Sequence, residues 1–217
     1  MRICLVSDRR RLGLALNRPA ADWNNLLVEQ VAAASRAGIE YVQIREADLD
    51  ARDLTRLVGR CLEAADGTTT RILVNDRLDV AIASGAGVQL KERSLRPVDA
   101  RRIVGAGFLI GASVHTTTGV ETRKGADLLI AGTVRPTASK PGVEYLDEDG
   151  LRAIVRVADG LPVLGIGGLN VESVPLLKAS GAAGLAAVGA FIPGAHEELR
   201  TFVQNRVSDL RFAFDSA

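Results

Sequence analysis

Gln43 and Arg45 stand two residues apart at the end of an apolar run, residues 41–44. On a strand that spacing points both side chains the same way. A guanidinium beside a carboxamide suits an anionic or polar ligand group, and equally a salt-bridged interior. Asn75 and Asp76 close the next apolar run. They read as ligand or metal groups, or as a cap for a following helix. Ser113 and His115, again two apart, share a side. Imidazole exchanges protons near neutral pH, so His115 is either a proton carrier or a side chain packed at a rim. The other histidine, His196, stands in Gly194-Ala195-His196-Glu197-Glu198 and reads as a surface or capping residue. Thr137, Ser139 and Lys140 place two hydroxyls and a cation between Pro136 and Pro141. A loop stiffened in this way loses less entropy when it closes over an anion, although a rigid loop without function has the same prolines. Glycines recur after two further apolar runs, in Gly165-Ile166-Gly167-Gly168-Leu169-Asn170 and Val188-Gly189-Ala190-Phe191. Such turns bring bare backbone N–H groups close to a ligand, or merely turn tightly.

The elements that position these groups alternate along the whole chain. Strand-like runs at 3–6, 41–44, 72–74, 87–90, 108–113, 128–131, 162–166 and 184–188 are separated by amphipathic stretches. The stretches lie at 23–36, 51–64, 78–84, 97–104, 117–124, 148–157, 171–180 and 197–210. Gly38, Gly125 and Gly181 stand where helices stop. Asn170 stands at an N-cap position, with Ser173 rather than Glu three residues on, so no full capping box is expected. Residues 206–217 read equally as a loose tail or a packed helix end. Strict alternation implies parallel strands with right-handed crossovers. The first strand runs into Ser7-Asp8-Arg9 without a glycine fingerprint, which argues against an open doubly wound sheet. The expected fold is a compact α/β (βα)8 TIM barrel, one domain over residues 1–217. In such a barrel Gly167, Gly168, Gly189 and Ala190 follow strands seven and eight, the usual phosphate position.

The chain is 47% hydrophobic but only 4% aromatic, so Val, Ile, Leu and Ala must build the core. Its 27 basic and 26 acidic residues give a net charge of +1, which offers no electrostatic case for nucleic acid or an anionic membrane. Cys4 and Cys61 lack ligand spacing, which argues against zinc, and are expected as half-buried free thiols. The N-terminus reads as a first strand rather than a leader, and the apolar run 181–192 is too short and glycine-rich to span a bilayer. A cytoplasmic protein is expected, and the sequence is compatible with a homo-oligomer.

In order, Gln43-Ile44-Arg45-Glu46, Asn75-Asp76-Arg77-Leu78-Asp79, Ser113-Val114-His115, Pro136-Thr137-Ala138-Ser139-Lys140-Pro141-Gly142 and Gly165-Ile166-Gly167-Gly168 resemble the thiamine phosphate synthase/TenI (thiazole tautomerase) superfamily. The resemblance covers nearly the whole chain and implies a barrel acting in thiamine biosynthesis on a small phosphorylated thiazole. Its synthase branch joins an aminopyrimidine methyl pyrophosphate to a thiazole phosphate, with Mg2+ and release of pyrophosphate. Its tautomerase branch shifts a proton on a thiazole carboxylate phosphate to make the ring aromatic.

By position, Gln43, Arg45, Asn75, Thr137 and Lys140 match the superfamily pattern, and Ser139 replaces a threonine. Lys140 falls on the lysine that meets pyrophosphate in the synthase. The synthase lysine of strand 2 is Ala47 here, which removes charge that would stabilise a departing pyrophosphate. Asp76 matches the first magnesium carboxylate. The second belongs to a His-Leu-Gly-Gln-x-Asp-Leu pattern, here Gln89-Leu90-Lys91-Glu92-Arg93-Ser94-Leu95, with Ser94 in the Asp position. A hydroxyl is a poor magnesium ligand, Lys91 and Arg93 add positive charge, and Glu92 would need a different approach. The main expectation is therefore a TenI-type thiazole tautomerase. His115 would move the proton, Gln43, Arg45, Asn75, Asp76, Ser113, Thr137, Ser139 and Lys140 would bind substrate, and no metal would be needed. Because Ser-x-His also occurs in synthases, two alternatives stand: a divergent synthase with Mg2+ on Asp76, and a non-catalytic regulatory module binding thiazole phosphate. A sugar-phosphate isomerase barrel is a weaker rival.

Overall fold

Alternation along each strand divides the apolar residues into two cores. A computed structural model describes residues 1–137, 142 and 144–216. Its strands are β1 (Arg2–Val6), β2 (Tyr41–Ile44), β3 (Arg71–Asn75), β4 (Gly87–Leu90), β5 (Ile110–Val114), β6 (Leu128–Gly132), β7 (Val163–Ile166) and β8 (Gly184–Ala187). All pair in parallel and in chain order, and β8 closes onto β1 with Ile3 opposite Leu185. Cys4, Val6, Leu73, Leu128, Ile130, Leu164 and Ala186 form the smaller, inner core. The opposite parity, including Ile3, Leu5, Val42, Ile44 and Val74, joins the helices in the larger outer core. A one-residue slip of any strand would exchange the two sets, so packing fixes the register that aims the strand-end side chains.

The expected helices form as α2 (Trp23–Arg36), α3 (Ala51–Ala65), α4 (Leu78–Ser84), α5 (Pro97–Val104), α6 (Thr117–Glu121), α7 (Asp147–Val157), α8 (Val174–Ala179) and α9 (Leu199–Ser216). A further helix, α1 (Arg9–Ala15), was not expected. Asp8 caps it by accepting from the Arg11 N–H at 3.0 Å, and Leu12 is fully buried beneath it. Gly13 leaves room for the Trp23 indole, whose Nε1 donates to the Arg18 carbonyl at 3.0 Å.

Two other expectations need correction, and the reading left open for the C-terminal residues is resolved over 206–216. Ser173 does close a reciprocal cap: its hydroxyl accepts from the Asn170 N–H at 3.2 Å and donates to Asn170 Oδ1 at 3.0 Å. Residues 206–216 are helix, and Lys178 Nζ donates to the Phe214 carbonyl at 3.1 Å, fastening that end. The two cysteines are fully buried rather than half-buried, and burial pushes both thiols up to about 12. Gly38 and Gly181 do take positive φ directly after helix ends, whereas Gly125, also at positive φ, lies beyond α6, which stops at Glu121 rather than at 124. His196 is exposed before α9, whose cap is instead Glu198, accepting from the N–H groups of Arg200 and Thr201. Among the described residues, no helix is long and apolar enough to cross a membrane.

Candidate active site

The C-terminal ends of the strands open on a cavity of about 1070 Å³. Gln43, Arg45, Asn75, Ser113, His115 and Thr137 line it, as do the glycine turns at Gly167, Gly168, Gly189 and Ala190. Asp76 does not line it. It borders a smaller recess of about 140 Å³ beside Ala47, and Asn75 and Lys91 border both spaces. Ser139 and Lys140 lie outside the described residues.

The floor is a row of inward carboxamides. Gln43 Nε2 donates to Asn75 Oδ1 at 2.9 Å, and Gln89 Nε2 donates to Ser113 Oγ at 3.3 Å. Gln89 Oε1 is buried without a partner among the described residues, and Gly111 makes the space that its side chain fills.

Arg45 is placed from below. Its N–H donates to Ser7 Oγ at 2.8 Å, and Ser7 Oγ donates to Glu46 Oε1 at 2.5 Å. Glu46 Oε2 lies 3.1 Å from Arg9 Nη1, which also meets Asp48 at 2.8 Å. Burial pushes the Glu46 carboxyl above its ordinary range, against the pull of Ser7 and Arg9. The Arg9 guanidinium holds the Asp48 carboxyl below its own. The salt-bridged interior thus belongs to Glu46 and Arg9. The Arg45 side chain is exposed in the mouth and makes no ion pair among the described residues.

On the next wall, Asp76 adopts a φ of 57°, and its carboxylate turns to β4 rather than to α4. Oδ2 lies 3.2 Å from Lys91 Nζ, and Oδ1 accepts from the Lys91 N–H at 3.3 Å. The helix-cap alternative does not form, because α4 has no side-chain cap. Beyond it, His115 Nδ1 sits 2.7 Å from Glu92 Oε2, and the His115 N–H donates to Glu92 Oε1 at 3.3 Å. Arg123 Nη2 donates to the Glu92 carbonyl at 2.9 Å and steadies that loop. A carboxylate on Nδ1 fixes the ring and leaves Nε2 for a ligand.

Across the barrel, Gly167 and Gly168 have φ of 103° and 64°. A Cβ on Gly168 would stand 2.5 Å from the Pro136 carbonyl oxygen, so the turn packs against the loop after β6. Gly168→Ala is expected to cost about 1–3 kcal/mol, read as a lower thermal midpoint without any ligand. At the β8 turn, a Cβ on Gly189 would meet Arg11 Nη2 at 3.3 Å. Arg206 of α9 borders the same end, with its Nε buried and unpartnered among the described residues.

The sequence reading missed Arg11 and Arg206 because both come from helices. The Arg9-Arg10-Arg11 run after the first strand was the available signal for Arg11. Glu92 was read as a spare metal ligand, not as the partner of His115.

A (βα)8 barrel with cationic side chains and glycine turns around one mouth has the layout common among barrels of this fold that hold phosphorylated small molecules at their strand ends. The chain belongs to the thiamine monophosphate synthase family, whose model matches residues 15–191. It is 38% identical over 168 residues to the thiamine-phosphate synthase of Methanoculleus marisnigri, covering 73% of this chain and 77% of that one. It is 34% identical over 185 residues to the thiamine-phosphate synthase of Pyrococcus abyssi, covering 82% and 88%. Among solved structures it resembles thiamine phosphate pyrophosphorylase from Pyrococcus furiosus, with a TM-score of 0.78, 28% identity, and coverage of 99% and 96%.

The Mg2+ that the resemblance implies does not fit the residues present. Both oxygens of Asp76 are engaged by Lys91, one by its ammonium. Ser94 stands where a second carboxylate would be needed. Among the described residues no group of three or more His, Cys, Asp or Glu could hold a metal ion.

Proposed function

We propose that the chain is a thiamine-phosphate synthase, joining an aminopyrimidine methyl pyrophosphate to a thiazole phosphate. The observation that carries this reading is the presence of two separate cationic ends in one cavity. Arg45, Lys91 and Arg93 lie after β2 and β4, while Arg11 stands beside the turn after β8 and Arg206 of α9 lines the same cavity. A thiazole carboxylate phosphate brings one phosphate and one carboxylate, whereas a transfer between two phosphorylated substrates brings a phosphate and a pyrophosphate, and three cations at one end match the more highly charged pyrophosphate. The synthase names of relatives at 34% and 38% identity support the same choice over the tautomerase preferred from sequence.

The chain's own residues divide the work. Backbone N–H groups at Gly167, Gly168 and Gly189, with Arg11 and Arg206, hold the thiazole phosphate. The Gln43–Asn75 pair offers donors and acceptors to the aminopyrimidine edge. The C–O bond to pyrophosphate breaks with its electron pair leaving on oxygen. The lone pair of the thiazole nitrogen forms the new C–N bond. Arg45 faces the charge that gathers on the leaving group. No proton has to move in this step, so His115 is a contact and not an acid or base.

A second reading rests on the Glu92-oriented His115, which is arranged as a proton carrier for thiazole aromatisation. One pair of assays separates the two. Purified protein given both substrates should form thiamine phosphate, and His115→Ala should lower that rate by about tenfold or less, the size of one lost contact. No product from protein that binds thiazole phosphate overturns the synthase reading. Aromatisation that falls about 10²–10⁴-fold in His115→Ala would establish the tautomerase instead. Binding without turnover of either kind would leave a regulatory module.

A further inference from the structure

The mouth holds an ammonium where the resemblance implies a divalent metal. Lys91 Nζ lies 3.2 Å from Asp76 Oδ2, and the Lys91 backbone N–H secures the other carboxylate oxygen at 3.3 Å. The Lys91 side chain remains 58% exposed, so it can meet a ligand without leaving Asp76. It borders both the main cavity and the recess beside Ala47.

The charges also balance. Two carboxylates around Mg2+ sum to zero. Here Ser94 removes one negative charge and Lys91 places one positive charge on Asp76, which again sums to zero. Ala47 removes the lysine of the resembled pattern, and Arg93 returns one positive charge to the same cavity wall. Glu92, in the Gln position, adds a negative charge that faces His115 at 2.7 Å, so the two lost charges are matched in number by Lys91 and Arg93 while Glu92 stands apart from the exchange. An ammonium is a compact point charge and can neutralise an anionic oxygen, while the guanidinium groups of Arg45 and Arg93 can fork across phosphate oxygens.

We propose that Lys91, with Arg45 and Arg93, forms a metal-independent pyrophosphate site in place of a magnesium centre. The catalytic half of this inference rests on the synthase reading: the C–O bond breaks onto a pyrophosphate held by side-chain cations alone. The binding half does not rest on it. An ordinary exposed ion pair is the rival account of Lys91 and Asp76, and such a pair contributes little to anything.

Inorganic pyrophosphate is the probe. Calorimetry on the full chain in EDTA should show binding, and added Mg2+ should not strengthen it. Lys91→Gln should weaken that binding about tenfold or more, the scale of one charge-assisted contact, with an unchanged thermal midpoint. Lys91→Gly combined with Ser94→Asp restores the glycine and the second carboxylate of the resembled pattern and should make pyrophosphate binding depend on Mg2+. Thiamine phosphate formation by the wild type should persist in EDTA. Binding that appears only with Mg2+, or that survives Lys91→Gln unchanged, overturns the proposal. If binding is metal-free and Lys91-dependent but no condition yields product, the site stands and the synthase reading falls.

Discussion

Replacing Arg9 by Met is expected to lower stability by about 3–5 kcal/mol, the cost of stranding a buried charge. Arg9 is 7% exposed and Glu46 is 5% exposed. Burial already pushes the Glu46 carboxyl up, and the Arg9 guanidinium is one of the groups opposing that push. Without it the carboxyl rises further. A carboxyl whose folded pKa exceeds its unfolded value binds its proton more tightly when folded. Its charge therefore weakens the fold as pH rises, and the penalty is smallest below the unfolded value. Asp48 has the same sign but acts below about pH 5, so Glu46 carries the difference between pH 5 and pH 8. Arg9 depresses the Asp48 pKa, so in the wild type Asp48 contributes stability above the ordinary carboxylate range that is lost on acidification. The variant lacks that contribution. The stability gap between wild type and Arg9→Met should thus be narrower at pH 5 than at pH 8, read by denaturant titration at each pH. An equal gap would show that Arg9 only fills space. The same variant should loosen Arg45, whose N–H hangs on Ser7 and through it on Glu46.

The elements were legible where an apolar run meets a change of period. β2, β4, α2, α4 and α5 begin and end at the residues expected, because glycine, proline or a charged residue stands at each margin. α1 was hidden because three arginines begin it and only a short stretch follows, too little for a helical period to show. The cavity-lining residues Gln43, Arg45, Ser113 and His115 were legible from their spacing of two, and Asn75 from its place at a strand end, combined with the barrel rule. Contacts made between strands were not. Lys91 meets Asp76 only because the β3–β4 register sets Asn75 opposite Gln89. Read one position at a time, Ala47 and Ser94 are losses that favour a tautomerase. Read as neighbours of Lys91 and Arg93, they are parts of an exchange. The cations Arg11 and Arg206 come from α1 and α9, whose inward faces depend on packing that no local pattern records.

Arg45→Ala should lower kcat for thiamine phosphate formation by about 10²–10³-fold, the cost of removing one preorganised partner from developing charge. The side chain stands at the end of β2, two strands from β8 and three from β7 around the closed barrel, so the KM for thiazole phosphate should change less than kcat. On the proposed synthase reading its partner is the leaving group, whose negative charge grows as the C–O bond breaks. An interaction that strengthens along that path acts on kcat more than on ground-state binding. The fold should tolerate the change, because the Ser7–Glu46–Arg9 network holds residue 45 by its backbone N–H and not by its guanidinium. An unchanged thermal midpoint checks that point. Arg45→Lys should recover only part of the rate, since an ammonium cannot span two phosphate oxygens as the planar fork does. A kcat unchanged in Arg45→Ala would move the pyrophosphate away from β2. A rise in the thiazole phosphate KM alone would mean that the two anionic substrates occupy the opposite ends from those assigned to them.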